Sequence, residues 1–226
     1  MNLYQNLHAW PQSAKEARQI QKRLPRPALS PSPRAKCARF LLGLDCAFPR
    51  AISPYAVAAA MLWDCKTKQV VLSCLYRAKP PIPYVSGLLG FREVPLMLGA
   101  LGKIDHQVDA IMVDGQGIAH PKRLGSAAHL ALWLVDPIPV IGVGKTRLVG
   151  EIGTLPEHEG ASTPLIDKGE VIGEALRSRR GCRPLFVSPG GHTDIDGALA
   201  IVRSALCGYR LPEPTRLADQ FAGNMA

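Results

Sequence analysis

Three apolar runs open the body of the chain in close succession: "ARFLLGLDCAF" (Ala38–Phe48), "YAVAAAMLWD" (Tyr55–Asp64) and "KQVVLSCLYRA" (Lys68–Ala78). Their length and their content of Val, Leu and aromatic residues predict strands, with Asp64–Lys68 as a turn. Three consecutive strands with short links suggest an antiparallel meander. The pattern then changes. "SGLLGFREVPLMLGALGKI" predicts a helix that Pro95 starts or kinks. "DAIMVDG" predicts a strand, "KRLGSAAHLALWLVD" a helix and "PIPVIGVGK" a strand. A hairpin-like pair, "EVIGEALRS" and "RPLFVS", precedes a last helix, "DIDGALAIVRSAL". A three-strand meander followed by alternating helices and strands predicts an α/β fold with a mixed sheet flanked by helices.

Ahead of this body, Ala14–Leu24 predicts a basic amphipathic helix with Ser13 as its N-cap. "PRPALSPSPRAK" (Pro25–Lys36) is too rich in proline for helix and reads as a linker or surface arm. The expected division is residues 1–36 as helix and arm, and 37–226 as one domain. At 47% hydrophobic the chain has material for a core. Its net charge of +9 suits either solubility or a polyanionic partner, whose counterions clustered cations displace. No apolar run is long enough for a membrane span, and "MNLYQNLHAWPQSAKEARQIQKRL" lacks the apolar core of a secretory signal. Six scattered cysteines without a C-x-x-C suit reduced thiols in the cytoplasm. The expectation is a cytoplasmic monomer.

The carboxylates carry the chemistry. Asp45 closes the first strand and Asp114 the fourth, and sites in α/β sheets form beyond the carboxyl ends of strands. Were these strands neighbours, the two acids would lie side by side, with Glu93 of the following helix leaning over them. Clustered carboxylates need a compensating charge, which a hard cation such as magnesium supplies; an acid taken alone more often caps a helix or pairs with Arg. Gly115 and Gly117 bare the backbone where its N–H groups could face a ligand, and Gly125 and Gly142 could let a flat group approach, although turns need glycine too. Lys145 could meet a phosphate or snorkel. The stiff loop "PPIPYVSG" presents Tyr84 either as a wedge between bases or as a half-buried brace.

Together these stretches resemble the endonuclease V family, the deoxyinosine-directed endonucleases. The likeness rests on "LGLDCAF", "PYVSGLLGFREVP", "VDGQGIAHPKRLGSAAHLALWLVDPIPVIGVGKTRL" and "PLFVSPGGHTDIDGALAIV". It implies a ribonuclease H-like fold. It also implies cleavage of one strand at the second phosphodiester 3′ to hypoxanthine, with Mg2+ or Mn2+. By the same resemblance Asp45, Glu93 and Asp114 would bind the metal and Tyr84 would be the strand-separating wedge. Gly87, Leu89, Gly115, Gly117, His120, Gly125, Gly142 and Leu148 would surround the extruded base and adjacent backbone, Lys145 would serve the phosphate, and Lys122 and Arg123 would touch phosphates.

Two departures stand out. Ser86 replaces the proline that usually ends the family's wedge. The late S-P-G-H-R motif reads "SPGGHTDID", which moves His192 one place on. In a strand one place is a change of face. Either a bulge at Gly190 and Gly191 returns His192 to the site as a catalytic group, or its role is lost or passes to Asp194. The expected function is a metal-dependent nuclease for inosine-containing DNA, a repair activity. Cleavage of inosine-containing RNA, or recognition without cleavage, remain alternatives.

Overall fold

The computed structural model describes residues 7–33, 37–49 and 54–225; the first six residues and the end of the Pro-rich arm, both within the expected N-terminal region, lie outside it. The meander is present as β1 (Phe40–Ala47), β2 (Ala56–Asp64) and β3 (Gln69–Ala78). Then come α2 (Leu89–Leu101), β4 (Ala110–Val113), α3 (Ser126–Ala131) and β5 (Val140–Gly144), after an α1 at Ala14–Arg23 capped by the Ser13 side chain. Two strands that were not expected, β6 (Glu151–Ile152) and β7 (Ser162–Asp167), precede β8 (Glu170–Leu176) and β9 (Leu185–Gly191). The chain closes with α4 (Ile195–Ser204), capped by Asp194, and a further helix, α5 (Glu213–Met225).

The nine strands make one sheet in the order β3-β2-β1-β4-β5-β9-β8-β7-β6. β1 is antiparallel to β2 but parallel to β4, and β4 is parallel to β5. The fold is ribonuclease H-like, as expected. Helices cover both faces. Leu42, Leu44, Ile111 and Val113 pack beneath α2 and α3. Leu41, Met112, Ile141 and Val143 pack beneath α4. Alternation along β1 therefore turns Gly43 and Asp45 toward the α4 and α5 face, and Cys46 toward α2.

α5 escaped the sequence reading because Pro212 and Pro214 look like helix breakers. Pro214 instead sits in the first turn, where its missing N–H costs nothing. A Cβ on Gly43 would stand 2.1 Å from the Pro214 carbonyl oxygen. The absence of that atom lets the helix start lie directly on β1, and Ala218 and Ala222 continue the contact against Ala59 and Met61. α3 is shorter than expected. Arg123 adopts a left-handed φ of 56°, so the segment before Gly125 is a turn rather than helix.

Candidate active site

β1 and β4 are neighbours in register, Leu44 opposite Val113, and the Asp114 N–H donates to the Leu44 carbonyl at 2.9 Å. Asp45 and Asp114 thus stand together at the carboxyl edge of the sheet. The third member of the group is Asp219 of α5. One carboxylate oxygen from each of the three lies within 4.8 Å of the others. The Lys145 ammonium, just past β5, contacts Asp114 and reaches Asp219 Oδ1 at 2.6 Å. The Arg210 guanidinium donates to the Lys145 carbonyl at 2.6 Å and fixes that turn.

Glu93 is not in the trio. It projects from α2 on the opposite face of the sheet from Asp45, and its Oε2 accepts a hydrogen bond from Ser126 Oγ at 2.8 Å. It is near enough for Asp114 to influence its charge. Glu93 was expected to lean over both aspartates; in the structure Asp219, from the unexpected helix, stands with them, and Glu93 faces Asp114 from the α2 side. Spacing of leucine, alanine and phenylalanine in "PTRLADQFA" was the available signal for it.

The electrostatics are those of a site short of positive charge. Burial and then the neighbouring Asp114 push Asp45 up to about 8. Burial pushes Glu93 up to about 8, against the Ser126 hydrogen bond. Asp114 is also raised by burial, although Lys145 works the other way. Burial acts to lower Lys145, but contact with Asp114 and Asp219 outweighs it and holds the ammonium well above its usual range. Hard oxygen donors at this spacing, incompletely neutralised by one lysine, fit a divalent cation such as magnesium.

Beside the acids is a small cavity of about 80 Å³, lined by Tyr84, Gly87, Leu89, His120, Gly125 and Leu148 together with Ser126 and Gln116. Ser126 joins the two features, since it lines the cavity and binds Glu93. Buried Ile82 anchors the proline loop while Tyr84 is 66% exposed at the cavity lip, so it is a presented ring rather than a half-buried brace. Gly87 has φ 77°, which a side chain would strain. His120 is buried. Its Nδ1 accepts from the Lys122 N–H at 3.1 Å and its ring also bonds the Gly87 backbone. Burial lowers it to about 4, so it is a neutral brace of the cavity wall.

Other expected residues have different surroundings. The Gly117 N–H donates to Ser188 Oγ at 2.8 Å and the Gly125 N–H to the Gly117 carbonyl at 2.9 Å, so neither amide faces a ligand. A Cβ on Gly142 would meet the Gly117 nitrogen at 2.2 Å. Gly142 and Gly117 allow backbone to lie on backbone beneath the cavity, whereas Gly115 has room. Arg123 is buried in ion pairs with Asp167 and Glu170, both at 2.8 Å, and offers nothing to a phosphate, unlike exposed Lys122.

His192 is not brought to the acids. The bulge exists: Val140 pairs with Gly191 and Ile141 with Pro189, leaving Gly190 as the extra residue. It serves packing, because a Cβ on Gly190 would meet the Ala127 carbonyl oxygen at 2.7 Å. His192 sits at the Val140 end of β5, where its N–H donates to the Ala28 carbonyl at 2.9 Å. Lys145 lies at the other end, roughly 16 Å of strand away. Asp194 is occupied as the cap of α4, accepting from the Gly197 N–H at 2.8 Å.

Comparison with known proteins gives a consistent picture. The family model for Endonuclease V matches residues 20–220. Endonuclease V of Nostoc punctiforme is 42% identical over 224 residues, covering 98% of this chain and 99% of that protein. The Azotobacter vinelandii enzyme is 47% identical over 169 residues, 75% of this chain and 76% of its own. The crystal structure of Endonuclease V from Bacillus subtilis superposes with a TM-score of 0.89 at 34% identity, covering 98% and 95% of the two chains. The catalytic domain of human Endonuclease V gives 0.81 at 28% identity, covering 92% and 93%.

Proposed function

Since the chain belongs to the endonuclease V family, we propose that it is a metal-dependent endonuclease that nicks DNA at the second phosphodiester 3′ to deoxyinosine, acting on deaminated adenine. The observation that carries this reading is the junction of an aspartate trio and Lys145 with a small cavity under an exposed tyrosine. Asp45, Asp114 and Asp219 would hold Mg2+, or Mn2+ in its place, and Glu93 would approach from behind. When bound, the cation supplies Lewis acidity that activates water and offsets charge developing on the phosphate.

The chain's own residues supply the rest. Lys145, now neutralising Asp114 and Asp219, would turn part of its charge to the scissile phosphate once the aspartates have another cation. Leu89 and Leu148 would flank the flat face of an extruded hypoxanthine, and its neutral partner His120 would hold the Gly87 turn against it. Extrusion is least costly for a weakly paired base, which favours inosine in duplex DNA. The Tyr84 ring would fill the space left in the stack.

A substrate panel tests this reading. Strands with one deoxyinosine should be nicked in Mg2+, undamaged strands should not, and Asp114→Ala should abolish cutting while the protein still folds. Preference for inosine in RNA would redirect the assignment to a ribonuclease. Binding without cleavage on every strand would leave a recognition protein.

A further inference from the structure

α1 is not a free arm. Ala17 is fully buried against Ile82, Leu88 and Phe91, beneath the loop that presents Tyr84. The Gln21 amide Nε2 donates to the Gly87 carbonyl at 2.8 Å and ties the helix to the rim of the base cavity. This docking fixes where the polar side of α1 points. Arg18 and Lys22, one helical turn apart, line a groove of about 290 Å³ whose opposite wall includes Pro121 and Lys122. Groove and base cavity share Ser86, Gly87, His120 and Leu148, so they form one continuous depression. Ser126, which binds Glu93, lines only the cavity. The groove therefore leads away from the acids.

The charged residues that line it are all cations. Arg123, Arg216 and Lys145 each sit against a carboxylate. Arg18, Lys22 and Lys122 are exposed, and among the described residues none of their side chains has an acidic partner. Three unpaired cations around one groove repel one another, and a polyanion crossing it relieves that repulsion. We propose that α1 is a wall of the substrate channel, and that Arg18, Lys22 and Lys122 bind backbone phosphates of the DNA strand on the 5′ side of the extruded base. The polarity rests on the functional reading above: if the cut bond is 3′ to inosine and the acids mark that side, the groove beyond the cavity receives the 5′ flank. These are positioning contacts and carry no base information.

The test uses the full chain and single strands with one deoxyinosine, a fixed 3′ flank, and either a long 5′ flank or none. Wild type should bind the long strand more tightly. The Arg18→Ala/Lys22→Ala double variant should lose about tenfold on that strand, and its salt dependence should flatten by about 1.4, two phosphates at roughly 0.7 each. On the strand without a 5′ flank its affinity should stay within about twofold of wild type. Arg18→Lys/Lys22→Arg should restore most of the loss, and in Mg2+ the deficit should appear in KM rather than kcat. Equal losses on both strands, or none on either, overturn the proposal. A wild type that nicks beside inosine yet ignores the 5′ flank overturns this inference alone. A wild type that shows no preference for inosine overturns the functional reading and the inference with it.

Discussion

Glu93→Gln should make the metal-free protein more stable at alkaline pH while removing its activity. Glutamine keeps the shape and can still accept the hydrogen bond from Ser126 Oγ that Glu93 accepts at 2.8 Å. What it removes is the obligation to bury a charge. Glu93 is pushed from an ordinary 4.5 to about 8, chiefly by burial. A carboxyl group whose folded pKa lies above its unfolded one favours folding at acid pH. It loses that contribution as pH climbs from the unfolded value through the folded one. Each pH unit of separation is worth about 1.4 kcal/mol, so the ceiling is ~5 kcal/mol, nearly reached at pH 8.5 and mostly absent at pH 5. Relaxation around a buried charge reduces this, and we expect ~2 kcal/mol at pH 8.5. For a chain of this size that raises Tm by roughly 4–8 °C. Thermal melts of both proteins in chelator at pH 5 and pH 8.5 measure it. A cation that favours the charged carboxylate should stabilise wild type more than the variant. Equal melting at pH 8.5, or the same gap at both pH values, would refute the reasoning.

Asp219→Ala should reduce Mg2+-dependent nicking by about 10³-fold while far-UV dichroism stays native, because it removes one of three proposed ligands; near wild-type rates would exclude Asp219 from the site. Tyr84→Ala should weaken binding to inosine duplexes by about 1–3 kcal/mol and matter less on single strands, with equal losses on both arguing against a wedge. His192→Ala should leave nicking within about threefold of wild type, and a loss of about 10²-fold, the usual worth of a positioned acid–base group, would contradict its placement. Gly43→Val should destabilise the protein by about 3 kcal/mol through overpacking and lower activity by displacing Asp219, as read by melts and nicking together.

What the sequence disclosed depended on how local the signal was. The meander follows from apolar runs and short links, and each strand's end places its own last acid, Asp45 or Asp114, without reference to distant parts of the chain; that β1 and β4 lie side by side is a matter of topology, which the sequence left as a condition. Asp219 depends on a helix whose docking is decided by Gly43 about 170 residues earlier, a tertiary fact with no local trace. The face of the sheet from which Glu93 approaches is likewise set by topology. Arg123 reads as a phosphate ligand in a basic stretch until Asp167 and Glu170 of the distant β7–β8 pair surround it. The two adjacent glycines before His192 did signal a bulge, and the bulge forms. Its purpose is the close approach of α3, which no count of residues along β9 could reveal.

The most direct test of the account is a Mg2+ titration of nicking on a duplex with a single deoxyinosine, with the product end mapped. The account predicts no cutting in chelator, saturable activation by Mg2+, and one product end at the second phosphodiester 3′ to the inosine. Cutting that persists in chelator, or that falls equally on an undamaged duplex, would contradict it.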